Sequence, residues 1–219
     1  MPLGREIEKP APRIAGRVGL QLVRARDAAT LARLLTENRS WLTKWEATHP
    51  SGRGVVPGSG PMRPVVKLLR KQLRAGTGVP FVITYDGEIV GQLSIAELSG
   101  GALQSSQIGY WVSQHVAGRG IAPTAVALAI DYIFGELQLH RVEVCIRPEN
   151  AASLRVVEKL GLEYEGRRAA YIHINGEWCD HDCFVVVREH VPPQLTAYLR
   201  QVVEGGLPPG PPGAGAGRD

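Results

Sequence analysis

The sequence predicts an α/β (α+β) fold in which helices cover both faces of a mixed, mostly antiparallel central sheet. Two hairpin-type dipeptides, Asp86-Gly87 and Asn175-Gly176, each lie between segments in which apolar and polar residues alternate, and such turns join antiparallel strands. Between the strands, other segments repeat apolar residues at helical spacing. The predicted order of elements is therefore β-α-α-β-β-β-α-β-α-β-β.

Bulk composition predicts a single globular domain. The chain has 219 residues, of which 44% are hydrophobic and 21% are charged, and this is enough to bury one full core. We expect a flexible lead-in at residues 1–16, the folded domain at 17–203, and a disordered Pro/Gly-rich tail at 204–219.

Composition also argues against several classes of location and partner. No apolar run approaches the roughly 18 residues of a membrane span, and residues 1–16 lack the apolar core of a secretory signal. Three cysteines do not make a disulfide framework, so we expect a reducing cytoplasm. A net charge of +4 without a basic stripe interleaved with aromatics does not predict a nucleic-acid partner. A monomer and a homodimer both fit the sequence.

The first elements follow from apolar spacing. Residues 18–22 alternate like a strand, and leucines within 31–35 have helical spacing. This helix is expected to continue through Trp41 and Trp45, which are one turn apart. The two tryptophans fit either core packing or an apolar wall beside an acceptor site.

The middle of the chain is predicted to form a loop, a helix and two paired strands. Residues 49–64 are rich in glycine and proline and predict a long connection. Residues 65–74 form an amphipathic pattern with Lys and Arg outward. Strands are expected at 81–85 and 88–98, followed by a flexible connection at 99–106.

The remaining elements alternate between strand and helix. We expect a strand at 108–113, a helix at 121–137 and a strand at 142–146. A further helix starts at Asn150 as N-cap and ends at Gly161. The last antiparallel pair covers 162–174 and 177–188.

A glycine-containing turn between the strand at 108–113 and the next helix predicts an anion site. Gly118 and Gly120 allow the backbone to approach a ligand closely, and the first amides of the helix are unpaired. Arg119 is placed to contact a phosphate. The same residues also fit a plain strand-to-helix turn. They match neither a dinucleotide fingerprint nor a Walker loop.

The segment GYWVSQHVAGRGIAPTAV resembles the acyl-coenzyme-A (acyl-CoA) loop of the GNAT N-acetyltransferase superfamily, whose signature is Gln/Arg-x-x-Gly-x-Gly/Ala. Gly120 and Ala122 match the last two signature positions, whereas Ala117 stands where Gln or Arg is usual. Pro123 removes one amide donor. The resemblance implies the GNAT fold, acetyl-CoA as co-substrate, and a loop contact that includes Ile121.

The C-terminal half resembles ribosomal-protein-alanine N-acetyltransferases of the RimJ and RimL kind. The matching residues are Asn150, Ser153, Lys159, Gly161, Asn175, Gly176, Trp178, Asp180 and His181. Together with the N-terminal helix, the resemblance covers about residues 20–187. It implies transfer of acetyl to the N-terminal α-amine of a protein such as a ribosomal protein.

The reaction is the direct attack of an amine on a thioester, which requires a neutral amine and a stabilised thiolate. Ser153 is the expected proton donor to the sulfur, although it also fits a helix cap. Glu97 and Glu143 are candidate bases by strand position only, and each also fits a surface role. His49, His115 and His173 are further candidates.

Position in the chain predicts the remaining site residues. Asn150 is expected to contact the pantetheine arm, and the backbone of Val112 to be unpaired and to dock the pantetheine amides. Trp41, Trp45 and Tyr110 are the expected acceptor-side residues.

Two other readings of the sequence stay open. The chain fits an N-acetyltransferase of a small-molecule amine, and it also fits a CoA-binding or ribosome-associated module without turnover. Cys179-x-His181-x-Cys183 suggests a metal, but the spacing is not that of common zinc sites, so no metal is predicted.

Overall fold

The computed structural model describes residues 7–51 and 60–205. Its strands are β1 Arg13–Ala15, β2 Val18–Leu22, β3 Val79–Tyr85, β4 Glu88–Ser99, β5 Ser105–Val112, β6 Arg141–Ile146, β7 Glu163–Ile174 and β8 Glu177–Val187. Its helices are α1 Ala28–Glu37, α2 Arg39–Leu42, α3 Met62–Arg74, α4 Ile121–Gly135, α5 Ala151–Leu160 and α6 Pro193–Gly205.

The described strands form one sheet in the order β1-β2-β3-β4-β5-β6-β8-β7. Its neighbouring strands are antiparallel except for β5 and β6, which run parallel. The predicted mixed, mostly antiparallel sheet is thereby confirmed. The two predicted hairpins join β3 to β4 and β7 to β8.

Two apolar cores lie on opposite faces of the sheet. Along β3, Phe81 and Ile83 belong to the larger core, whereas Val82 belongs to the smaller one, because alternate side chains of a strand point to opposite faces. The larger core holds α4, whose side chains are almost all buried from Ile121 to Ile133. The smaller core is built with α1 and α3. This confirms helices on both faces.

The ends of the chain carry two elements that the sequence did not predict. Residues 13–15, expected within a flexible lead-in, form β1 and pair with β2. Beyond β8, the chain forms α6, whose Leu195 and Tyr198 enter the larger core. This helix extends to Gly205, so residues 204 and 205, expected in the disordered tail, are helical.

Three boundaries inside the domain also differ from the prediction. The helix expected to run through both tryptophans ends at Leu42, and Trp45 follows in a turn whose amide donates to the Leu42 carbonyl. The connection expected at 99–106 is limited to residues 100–104, because β4 ends at Ser99 and β5 begins at Ser105. The loop predicted at 49–64 lies partly outside the described residues, and α3 already begins at Met62.

Within residues 7–51 and 60–205, no helix is both long and apolar enough to cross a membrane.

Candidate functional site

The parallel strands β5 and β6 part after a short paired stretch and leave a cavity between them. They pair at Ser105–Gln107 and Arg141–Glu143. Beyond that point, a cavity of about 250 Å³ is lined by both strands, by the start of α5, by β7 and β8, and by the segment after α2. Parting of two strands frees backbone groups on their facing edges, and a ligand in the cavity can bond them.

The glycine turn after β5 provides unpaired amides, as predicted. Gly118 and Gly120 adopt φ of +80° and +77°, which is the left-handed region that glycine enters without steric cost. Among the described residues, the amides of 118–122 donate to no backbone carbonyl. They lie at the N-terminus of the 15-residue helix α4, where the helix dipole favours an anion. This geometry fits a pyrophosphate.

Hydrogen bonds from three side chains fix the conformation of the glycine turn and of the segment that leads into it. The Thr124 hydroxyl donates to the Gly120 carbonyl over 2.8 Å, and the Tyr198 hydroxyl of α6 donates to the same carbonyl over 3.3 Å. The buried side chain of Asn38 accepts from the Gln114 amide over 2.8 Å and donates to the Leu34 carbonyl. The unpaired amides are therefore held in place on a rigid scaffold.

The start of α5 places Ser153 in the cavity. The Asn150 side chain accepts from the Ser153 amide over 3.2 Å and thereby caps α5, as predicted. Because the cap uses the backbone of Ser153, its hydroxyl is left for other contacts.

That hydroxyl lies beside Tyr110, whose own hydroxyl is buried. Burial raises the pKa of Tyr110 to about 12, and the nearby Ser153 side chain partly offsets the increase. The Ser153–Tyr110 approach nevertheless falls outside hydrogen-bond geometry, so the Tyr110 hydroxyl has no partner within residues 7–51 and 60–205. An unpaired buried hydroxyl in a cavity wall is a site for a ligand polar group.

A histidine that the sequence reasoning did not assign to catalysis also lines this cavity. His181 of β8 is 3% exposed, and its Nδ1 lies 3.0 Å from the Cys179 carbonyl. A carbonyl only accepts, so Nδ1 carries the hydrogen, and in the neutral ring Nε2 has the free lone pair. Burial lowers the pKa of His181. The sequence feature that could have indicated a buried His181 is its alternation with Cys179 and Cys183, since all three point to the inward face of β8.

The cavity brings together some of the predicted residues and leaves out others. Trp45, Tyr110, Asn150 and Ser153 line it. Trp41 instead packs against the smaller core, because α2 ends before Trp45 and the two rings do not share a helical face. The Trp41 indole donates to the Val112 carbonyl over 3.2 Å, so that carbonyl is not unpaired as expected.

The predicted bases lie outside the cavity lining. Glu97 is exposed, and its left-handed backbone, with φ of +50°, sits in a separate cleft beside α3. Glu143 is neutralised by Arg141 and Arg168, at 3.0 Å and 2.8 Å. Neither glutamate lines the cavity, so neither is placed as the base.

The three histidines named as alternative bases are also not in the cavity wall. His49 and His115 are exposed. His173 is bonded through Nδ1 to the Thr48 hydroxyl over 2.8 Å, and its ring meets Trp178 edge-on. These contacts give His173 a structural role where the segment after α2 meets β7.

The Cys-His-Cys motif on β8 is buried and packs against β6. Cys179, His181 and Cys183 all point inward, with the Cys183 sulfur 2.9 Å from that of Cys145 on β6. No group of three or more His, Cys, Asp or Glu side chains within the described ranges is arranged to hold a metal ion.

Comparison with known families decides the identity of the fold. The model of the acetyltransferase (GNAT) domain matches residues 17–163, which contain the glycine turn and the start of α5. The chain belongs to the GNAT acetyltransferase family. This acetyltransferase is also similar to the probable N-acetyltransferase YjcK of Bacillus subtilis, with 40% identity over 102 residues. That match covers 47% of this chain and about half, 56%, of YjcK.

Two further relatives cover more of the acetyltransferase. It is 29% identical to the ribosomal protein uS5-alanine N-acetyltransferase of Escherichia coli over 167 residues, 75% of this chain and 84% of that one. The structure of Mycobacterium smegmatis RimJ in complex with CoA-disulfide superposes with a TM-score of 0.77 at 36% identity. This superposition covers 85% of this chain and 92% of the RimJ chain.

Proposed function

We propose that this acetyltransferase moves an acetyl group from acetyl-CoA to the N-terminal α-amine of a protein, in a ternary complex. The observation that carries the proposal is the continuity of β5. Its second half lines the cavity with Tyr110, and its end leads into the unpaired amides of residues 118–122. β5 thus connects the unpaired amides, which are suited to a pyrophosphate, to a cavity lined by hydroxyl and imidazole groups.

The CoA contacts follow from this arrangement. The amides of Gly118, Gly120, Ile121 and Ala122 hold the pyrophosphate. Arg119 adds charge, since its exposed guanidinium makes only a long contact of 3.4 Å with the His115 carbonyl. Because these donors are backbone amides, they bind the pyrophosphate even though position 117 is alanine where Gln or Arg is usual.

The pantetheine arm runs along the edge of β5 where it parts from β6. Asn150 lines the cavity and Val112 ends β5, and contacts from the Asn150 side chain and the Val112 amide direct the thioester into the cavity. The Val112 carbonyl is used by Trp41, so docking relies on the amide of this residue.

Ser153 protonates the departing sulfur. Its hydroxyl lines the cavity and is released from capping by the use of its amide. The pKa of about 12 keeps the neighbouring Tyr110 hydroxyl protonated at neutral pH. Tyr110 therefore remains a hydrogen-bond donor toward the reacting centre, which stabilises developing negative charge.

The acceptor is a chain terminus whose amine titrates near neutrality. An α-amine of pKa about 7.7–8.0 is neutralised at pH 7 for roughly 1–1.4 kcal/mol, whereas a lysine of pKa about 10.4 costs nearly 5. Because no carboxylate base lines the cavity, the easier amine is favoured. Similarity to the uS5-alanine enzyme supports a ribosomal protein with a small first residue.

The test is thiol release from acetyl-CoA with three acceptors: an Ala-starting peptide, the same peptide blocked at its N-terminus, and a polyamine. We expect release that depends on the unblocked peptide. Release with the polyamine alone supports the small-amine function, and binding of CoA without release supports a module without turnover. Either result overturns the proposal.

A further inference from the structure

We propose that Nε2 of His181 removes the proton from the ammonium group of the acceptor. The inference deepens the proposed function and rests on it, since an amine has to be the acceptor. Neither glutamate expected as the base lines the cavity, whereas His181 does, together with Tyr110 and Ser153.

The orientation of the ring assigns the role to one nitrogen. Nδ1 is held by the Cys179 carbonyl of the same strand over 3.0 Å, so the ring has one tautomer and a fixed plane. The ring of Tyr171 on β7 contacts it edge-on, with 6.0 Å between centroids. Since no described residue bonds Nε2, its lone pair is available to a ligand in the cavity.

The surrounding charges keep the imidazole neutral before the reaction. Burial is the largest effect and lowers the pKa of His181, and the positive charge of Arg147 lowers it further. The Cys179 hydrogen bond and the carboxylates of Glu149 and Asp180 act in the opposite direction. The net shift is downward, so His181 is able to accept a proton at pH 7.

The proton and electron balance is complete. One proton moves from the ammonium group to Nε2, and the freed nitrogen lone pair forms the C–N bond to the thioester carbon. The C–S bond breaks, and its electron pair leaves with sulfur. The second proton of the nitrogen reaches the sulfur through Ser153, while His181 releases its proton to solvent.

The test is the pH profile of kcat/KM for His181→Asn against wild type, with His173→Asn as the matched control on the adjacent strand. A base contributes about 100-fold or more, so we expect a loss of about 100-fold at pH 7. The loss shrinks to below about tenfold at pH 9.5, where an α-amine of pKa about 7.7–8.0 is already neutral. Added imidazole is expected to restore part of the activity at pH 7.

The wild-type profile has an acid limb, because protonated His181 cannot accept a proton. This limb lies below about pH 6.5, because the pKa of an unperturbed histidine is about 6.5 and burial lowers the pKa of His181. The control, His173→Asn, is expected to keep this profile, since His173 lies outside the cavity wall. Calorimetry with acetyl-CoA verifies that each variant is folded and binds.

A loss that is equal at every pH, or unchanged activity in folded His181→Asn and His181→Gln, overturns the role of His181. The profile is measured with whichever amine wild type acetylates, so a small-amine acceptor refutes the proposed function while the base is still tested. Absence of turnover with every amine refutes both.

Discussion

Ser153 completes a helix cap through its amide and leaves its side chain in the cavity. Its amide satisfies the Asn150 cap, and its hydroxyl is left in the cavity near the buried hydroxyl of Tyr110. The sequence predicted the cap and the catalytic hydroxyl as alternatives, because the spacing from Asn150 fits both. The structure makes them compatible, since backbone and side chain of the same residue are used separately.

For Ser153→Ala, we expect kcat to fall by about tenfold or more with little change in acetyl-CoA affinity, because a proton donor acts in the transition state. The amide that completes the cap is unchanged, so stability is preserved. Steady-state kinetics and calorimetry with acetyl-CoA measure the two quantities. Wild-type turnover in the variant would leave Ser153 as a cap residue alone.

The base was not predictable from residue type and strand position. Glu143 alternates outward along a strand as a free carboxylate would, but Arg141 and Arg168 neutralise it. The partner Arg168 comes from β7, which β8 separates from β6 in the sheet, and no sequence pattern reveals a contact between side chains of two such strands. His181 was part of a recognised motif, yet its burial and the Cys179 contact appear only in three dimensions.

At the scale of elements, the strand, glycine turn and helix from β5 to α4 were predictable because their signals are local. Alternation indicates a strand, two glycines permit positive φ, and a long apolar stretch follows as a buried helix. Both glycines do adopt left-handed conformations. The parting of β5 from β6 is a long-range property, and the Val112 backbone expected to be unpaired there has its carbonyl bonded to the Trp41 indole.

Gly120→Val is expected to weaken CoA binding by well over tenfold. A β-branched residue at φ of +77° is strained, and its side chain displaces a ligand from the surrounding amides. Gly135→Ala is the matched control at the other end of α4, where an added Cβ meets nothing within 4 Å. Calorimetry measures both affinities, and unchanged affinity in a folded Gly120→Val would refute the cradle.

The helix α6 was missed because its signals are weak. Pro192 precedes the helix and Pro193 is its first residue, and the Pro/Gly-rich tail follows directly. A proline is nonetheless favourable at the first helical position, and Leu195, Tyr198 and Leu199 have the spacing of an apolar face. Their burial against α4 supplies the stability that local propensity lacks.

At the scale of the whole molecule, α6 belongs to the folded domain. Leu195 is 1% exposed, and truncating a buried leucine to alanine costs about 2–5 kcal/mol. We expect Leu195→Ala to lower the free energy of unfolding by that amount in urea titrations. Leu68→Ala, at a position 56% exposed, is the control and is expected to change it by less than about 0.5 kcal/mol. Equal effects would show that α6 does not contribute to the core.

The whole-molecule architecture was largely predictable, whereas the acceptor side was not. Apolar spacing and two hairpin turns define the sheet, and a family resemblance adds its topology. The cavity, in contrast, is assembled from five separate parts of the chain. The connection between β4 and β5 is likewise fixed by distant residues, because the Gln104 carbonyl accepts hydrogen bonds from the amides of residues 140 and 141 at the start of β6.

The most direct measurement is mass spectrometry of Ala- and Ser-starting peptides that each contain one internal lysine, after incubation with acetyl-CoA. The account predicts acetyl on the N-terminal α-amine in preference to lysine, because the pKa gap between the two amines corresponds to about 3.5 kcal/mol. Peptides of the same sequence with a blocked N-terminus are the control and are expected to stay unlabelled. Acetyl found only on lysine, or only on small amines added in competition, would contradict the account.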